Sequence, residues 1–159
     1  MKLYMQQVNV HDIIKEVVRN VTMQVRRKGG KIELNIVAEN PIIQADSIHL
    51  TNVIFNLIDN AIKYSPDGAQ IQISSSQTDE GVELRFRDNG LGIPKEFLGK
   101  VFERLFRVPT GNVHDVKGFG LGLSYVKNVV ERHHGTIYAE SEPHVGSTFV
   151  MKLKYNPSP

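Results

Sequence analysis

The chain has 159 residues with a formal charge of +2, and 40% of them are hydrophobic and 23% charged, the composition of one soluble globular domain with room for a core. The charge is too small to argue for nucleic acid, and the densest basic run is only Arg26-Arg27-Lys28. There is no cysteine for a disulfide framework or thiolate metal site, no apolar run approaches the ~18 residues of a membrane span, and Met1 to Asn20 lacks the apolar core of a signal peptide.

In chain order, Gln6 to Val10 reads as a short edge strand. His11 or Asp12 opens a helix to about Lys28, with Ile13, Ile14, Val17, Val18, Val21 and Val25 on one face and Gly29-Gly30 as its stop. Ile32, Leu34 and Ile36 alternate with Glu33, Asn35 and Val37, which predicts a half-buried strand. After Pro41, Ile42 to Ala45 forms a short strand, and Asp46 or Ser47 caps a second helix running to about Ser65. Pro66-Asp67-Gly68 is a turn, and Gln70 to Gln77 and Val82 to Asp88 form a hairpin. Residues 90–122 hold seven of the thirteen glycines, with a short helix near Pro94 to Gly99 and a polar, loop-like segment from Pro109 to Lys117. A third helix spans about Gly120 to His134, with Leu121, Tyr125, Val126, Val129 and Val130 inward and Gly135 ending it. Ile137 to Glu140 and Thr148 to Leu153 are the last strands.

Three long helices and about five longer strands, with neighbours joined by hairpins, predict an α+β two-layer sandwich: a mixed, largely antiparallel five-stranded sheet covered on one face by three helices. Residues 1–155 form the domain and 156–159 a frayed tail.

Three stretches carry chemistry. On the second helix, Asn52, Asn56, Asn60 and Lys63 fall within about 80° of one another. Asn is a poor helix former, so a row of them suggests a helix lining a polar cavity; an ordinary wet face is the alternative. By period two, Asp88 continues the apolar face of Val82, Leu84 and Phe86. A carboxylate there needs donors, and the exocyclic amino group of adenine is one; guanine offers a carbonyl instead. Equally, Asp88 can cap the following Asn89-Gly90-Leu91-Gly92 turn. Gly118-Phe119-Gly120-Leu121-Gly122-Leu123 opens a helix, where bare N–H groups suit an anion; a flexible hinge is the alternative. Together the three imply a purine triphosphate.

The histidines carry less. His11-Asp12 is only superficially similar to a phosphoacceptor pair, His133-His134 reads as an exposed helix end, and His49, His114 and His144 show no partner.

Taken together, these motifs resemble the catalytic, ATP-binding domain of a bacterial sensor histidine kinase, a family grouped with the gyrase, heat-shock chaperone and mismatch-repair ATPases and built on the Bergerat-type fold. Asn56 to Ser65 is similar to the N box, Asp88 to Ile93 to the first glycine box, Phe102 to Arg107 to the F box, Gly118 to Leu123 to the second glycine box, and Gly146 to Phe149 to a further glycine motif. The resemblance covers nearly all of residues 8–154. It implies ATP and Mg²⁺ as ligands, with Asn60 on the metal, Asn56 beside it, Lys63 on phosphate and Tyr64 against the nucleotide. Asn56 and Lys63 are the catalytic candidates. Asp88 would bind the adenine amino group, and Gly90, Gly92, Gly118, Gly120 and Gly122 would shape the pocket. Ile93, Leu121, Leu123 and Thr148 join the nucleotide-binding set through the same boxes. Arg104, Arg107 and Lys117 are candidate phosphate or lid contacts within an ATP lid over residues 100–117.

The chain departs from the family pattern at Leu105-Phe106, where Phe-Tyr is usual, and it carries no phosphoacceptor helix. The resemblance thus implies a donor half, monomeric alone. It would serve a phosphoacceptor-histidine dimerisation domain of the parent protein and, downstream, a response regulator receiver domain. It would work in the cytoplasm, whether or not the parent is anchored in the inner membrane, without touching nucleic acid or membrane itself. Relatives that hydrolyse ATP place a glutamate where this chain has Asn56, so slow hydrolysis is expected. A serine-protein kinase of the anti-sigma-factor type, a hydrolytic clamp and a nucleotide-binding scaffold without catalysis are the competing readings.

Overall fold

The computed structural model describes residues 1–65, 68–104, 106 and 122–157. The elements are β1 (Met5–Asn9), α1 (Val10–Arg27), β2 (Lys31–Ile36), β3 (Ile42–Asp46), α2 (Ser47–Lys63), β4 (Gln70–Gln77), β5 (Gly81–Arg87), a 3-10 turn (Lys95–Phe97), α3 (Gly122–Arg132), β6 (Thr136–Glu142) and β7 (Gly146–Lys154). Five strands form one sheet in the order β2-β4-β5-β7-β6. β2 and β4 run parallel, and the other pairs are antiparallel. β1 and β3 form a separate antiparallel pair. The expected two-layer sandwich is therefore present, with a small second sheet beside it.

Alternation along the central strands makes the core. Val82, Leu84 and Phe86 of β5 are at most 1% exposed, and Ile71 and Ile73 of β4 and Phe149, Met151 and Leu153 of β7 join them on the same face. The helices lie on that face: α1 beside β2, α2 in the middle and α3 beside β6. α2 is the most deeply set, with Leu50, Val53, Ile54, Leu57 and Ile58 all buried. Each such side chain contributes about 1.5–3 kcal/mol by leaving water. At the sheet's edge the prediction for β2 is only partly met: Leu34 remains 38% exposed because β2 is the end strand of the sheet formed by the described residues.

The helix ends differ in detail from the sequence expectation. α1 begins at Val10, not at His11 or Asp12, because Asn9 caps it; its Oδ1 accepts the N–H groups of His11 at 2.9 Å and Asp12 at 3.3 Å. Replacing Asn9 with alanine is expected to lower the unfolding free energy by about 1 kcal/mol, measured by urea denaturation. α1 stops as predicted, with Gly29 at a φ of 78° and the N–H of Gly30 returning to Val25 O. α3 uses the same bond pattern, but His134 takes the left-handed position, at a φ of 58°. Gly135 serves close packing instead: a Cβ there would lie 2.4 Å from Lys152 O.

Two histidines contradict their expected isolation. His133 is 2% exposed. Its Nδ1 donates to Val129 O at 2.8 Å, so Nε2 is the acceptor for the Asp46 N–H at 3.0 Å. His49 Nδ1 lies 2.6 Å from the Tyr125 hydroxyl. His11 Nε2, at the start of α1, is held 2.7 Å from Ser75 Oγ.

Candidate functional site

The end of α2, the loop after β5 and the start of α3 surround a cleft. Asn60 and Tyr64 line it from α2 and its C-cap, and Leu91, Gly92 and Ile93 from the loop. Val101 and Phe106 come from the segment after the 3-10 turn, Leu123 from α3, and Ser147 and Phe149 from β7. The walls are mostly apolar, with a few polar groups: the amide of Asn60 and the hydroxyls of Tyr64 and Ser147.

The loop is held in place by backbone contacts that side chains would prevent. A Cβ on Gly90 would sit 2.1 Å from Tyr64 O, where α2 ends, and the next N–H, of Leu91, donates to that same oxygen at 3.0 Å. Gly92 has a φ of 72°, and its Cβ would meet Glu142 O at 2.2 Å. The loop thus bridges the C-terminus of α2 and the β6–β7 turn, which is the close approach that glycine permits.

Asp88 is 5% exposed and does not itself line the cleft, but it is bonded to Ser147, which does. Its Oδ1 accepts the N–H of Gly90 at 2.9 Å and of Ser147 at 3.2 Å. The turn-capping alternative for Asp88 is therefore realised by one oxygen, while Oδ2 has no partner among the described residues. Burial raises the carboxyl pKa above the ordinary aspartate value, and the two N–H groups partly oppose that rise. A buried carboxylate with acceptor capacity in reserve suits a ligand that brings an N–H donor.

Along α2, Asn56 faces the start of α3: a Cβ on Gly122 would lie 3.7 Å from Asn56 Oδ1. Lys63 is salt-bridged to Asp59, Nζ to Oδ2, at 2.8 Å. The polar stripe is thus split, with Asn60 lining the cleft, Asn56 near Gly122 and Lys63 paired with Asp59 outside the cleft lining.

Two candidate residues, Thr148 and Arg104, lie away from the cleft. Thr148 points to the open face of the sheet, in a groove with Arg85, Arg87 and Glu140, while Ser147 turns to the cleft. Period two from Phe149 carries that signal. Arg104 lies outside the cleft, in a separate groove with Arg132 and Asn128. Arg107, Lys117, Gly118, Gly120 and Leu121 lie outside the described residues. Ser141 was not singled out by the sequence; its hydroxyl accepts the Ile93 N–H at 2.6 Å and lies 2.8 Å from Ser147 Oγ, tying the loop to β6 and β7. In the F-box segment, Phe102 meets Phe149 edge-on with ring centroids 5.9 Å apart, which anchors the segment beside the cleft.

A sequence model described as histidine kinase-, DNA gyrase B-, and HSP90-like ATPase matches residues 45–157. Sensor protein RprX of Bacteroides fragilis (strain YCH46) is 47% identical over 153 residues, 95% of this chain and 30% of that protein. Sensor histidine kinase WalK of Bacillus subtilis (strain 168) is 35% identical over 123 residues, 76% of this chain and 20% of that protein. The chain therefore spans less than a third of either relative. Among solved structures, the nucleotide-free catalytic domain of histidine kinase ThkA superposes with a TM-score of 0.81 at 26% identity, with 98% of each chain covered. The mycobacterial sensor histidine kinase MprB gives 0.79 at 30% identity, covering 98% of this chain and 100% of that one.

Proposed function

For a chain that belongs to the histidine kinase-, DNA gyrase B- and HSP90-like ATPase family, and within it is the ATP-binding catalytic domain of a sensor histidine kinase, we propose a donor site that receives Mg·ATP base-first. In this reading adenine enters the cleft, its amino group donates to Asp88 Oδ2, and Leu91, Ile93 and Phe149 flank the ring. The phosphates run along α2 toward the start of α3. The observation that carries the reading is the buried Asp88 carboxylate, which keeps one oxygen without a partner among the described residues and is bonded through the other to Ser147, a residue that lines the cleft.

The donor set fits magnesium. Asn56 and Asn60 offer amide oxygens, and Mg²⁺ favours few protein oxygens completed by phosphate and water. Asn60 would be the direct ligand. When bound, the ion neutralises charge on the phosphate oxygens. The chain's own residues then orient the nucleotide: Asp88 fixes the base, Tyr64 packs beside it, and Lys63 meets phosphate as a point charge. Asn56 has no basic oxygen with which to activate water, so the site favours transfer over hydrolysis. The acceptor is a histidine on a dimerisation domain carried elsewhere in the parent protein. From there the phosphoryl group passes to an aspartate of a response regulator receiver domain. The setting is cytoplasmic; among the described residues no helix is long and apolar enough to cross a membrane.

Calorimetric titration of the chain with Mg·ATP tests the reading. Saturable binding is expected, unaffected by excess GTP and weakened by EDTA and by Asn60→Ala. Absence of binding by a chain whose circular dichroism shows it folded would overturn it.

A further inference from the structure

This inference rests on the reading above, in which Lys63 meets phosphate. Asp59 and Lys63 are the acid and the base of α2, which otherwise carries amides, hydroxyls, apolar side chains and His49. They are spent on each other: Nζ lies 2.8 Å from Oδ2, with the two side chains 43% and 27% exposed. They stand one helical turn apart, and Asp59 immediately precedes Asn60, which lines the cleft. A pair this open to water adds little to stability, so stability is a poor account of why it sits one turn from Asn60.

We propose that Asp59 is a latch on Lys63 that sets how tightly the site holds polyphosphate. Before nucleotide arrives, the carboxylate satisfies the ammonium and keeps it against the helix. A phosphate group must then share Lys63 or displace Asp59, and in both cases it meets the negative charge of Asp59. The ammonium has three donors, of which the carboxylate takes one, so sharing is open to it. The penalty grows with the charge of the ligand: it is largest for a triphosphate, smaller for a diphosphate and nil for adenosine. After transfer, Asp59 gives Lys63 a partner to return to as the diphosphate leaves. Asp59 is thus a positioning residue that acts through Lys63.

The test is titration of the wild type, Asp59→Asn and Asp59→Glu with Mg·ATP, Mg·ADP and adenosine at low and high salt. The latch predicts that Asp59→Asn binds Mg·ATP about 3–10-fold more tightly. Mg·ADP should gain less and adenosine nothing, Asp59→Glu should stay near the wild type, and the gain should shrink as salt rises. Binding of Mg·ATP by Asp59→Asn that is unchanged or weaker than the wild type overturns the latch. A loss seen with Mg·ATP but absent with metal-free ATP also overturns it, because the carboxylate then serves the metal. A folded wild type that binds none of the three ligands overturns the donor-site reading and the latch with it, whereas the preceding outcomes leave that reading standing.

Discussion

Asp88→Asn is expected to weaken Mg·ATP binding about 100-fold while leaving the melting temperature at or slightly above that of the wild type. Asparagine can keep the Oδ1 bonds from Gly90 and Ser147, so the loop retains its anchor. Its Nδ2 then replaces Oδ2 and turns two N–H groups toward the adenine amino group. The lost hydrogen bond to a charged group is worth about 1.5–3 kcal/mol, and the donor-to-donor contact takes the effect to the upper end of that range or beyond. Folding loses nothing comparable, because the substitution removes a buried charge. The pH dependence separates the two roles. Burial raises the pKa of Asp88, with Gly90 and Ser147 pulling part of the way back. Between the unfolded and the raised folded value, the folded chain holds the extra proton, so this group's contribution to stability falls as pH rises through the folded value. Ligand binding runs the other way: only the ionised carboxylate accepts the amino N–H, so affinity rises over the same window. Adenosine is the ligand for the acid series, since the γ-phosphate takes up a proton of its own. Calorimetry and thermal melts of both chains across pH measure each trend. A variant that binds Mg·ATP as the wild type does would remove Asp88 from the site.

Asp88 was legible because strands advertise their faces: three apolar residues at period two leave a carboxylate on the wrong side, and no other part of the chain is needed to see it. The apolar faces of α1 and α2 and the β4–β5 hairpin were legible for the same local reason. What stayed hidden depends on partners far away in the chain. The parallel pairing of β2 with β4 crosses β3 and α2, and nothing in Lys31 to Ile36 announces its neighbour. The pairing of β1 with β3 likewise joins segments that only the fold brings together. Ser147 and Thr148 could be told apart by parity once Phe149 was known to face inward, but the resemblance pointed to the threonine. The burial of His133 is not legible because its own helix places it at a terminus, while its ring's partner, the Asp46 N–H, lies 87 residues away in sequence.

The same histidine carries the second large effect. His133→Ala is expected to lower the unfolding free energy by about 3 kcal/mol, combining a buried donor left without a partner and the cavity vacated by the ring. The donor is the N–H of Asp46, the residue that caps α2: its Oδ1 accepts the His49 N–H at 2.9 Å and its Oδ2 the Tyr4 N–H at 2.8 Å. Burial works against ionisation of this carboxylate, but those two bonds, together with the neighbouring imidazoles of His49 and His133, outweigh it and its pKa ends below the ordinary value. His133 therefore joins the end of α3 to the start of α2 at a point that also holds the N-terminal segment. The other ends of the same two helices form the cleft, through Leu123 on α3 and Asn60 on α2. Loss of the ring should loosen the whole layer, with part of the stability recovered in saturating Mg·ATP, because the ligand binds the folded chain alone. His134→Gly supplies the contrast on the next residue: the left-handed backbone at 134 favours glycine, and a gain of up to about 1 kcal/mol is expected. Urea denaturation of the two variants thus reads opposite signs from adjacent positions. A loss well under 1 kcal/mol for His133→Ala would mean that water replaces Nε2 at the Asp46 N–H, and the joint between α2 and α3 would then rest on packing and on the bond from His49 to Tyr125.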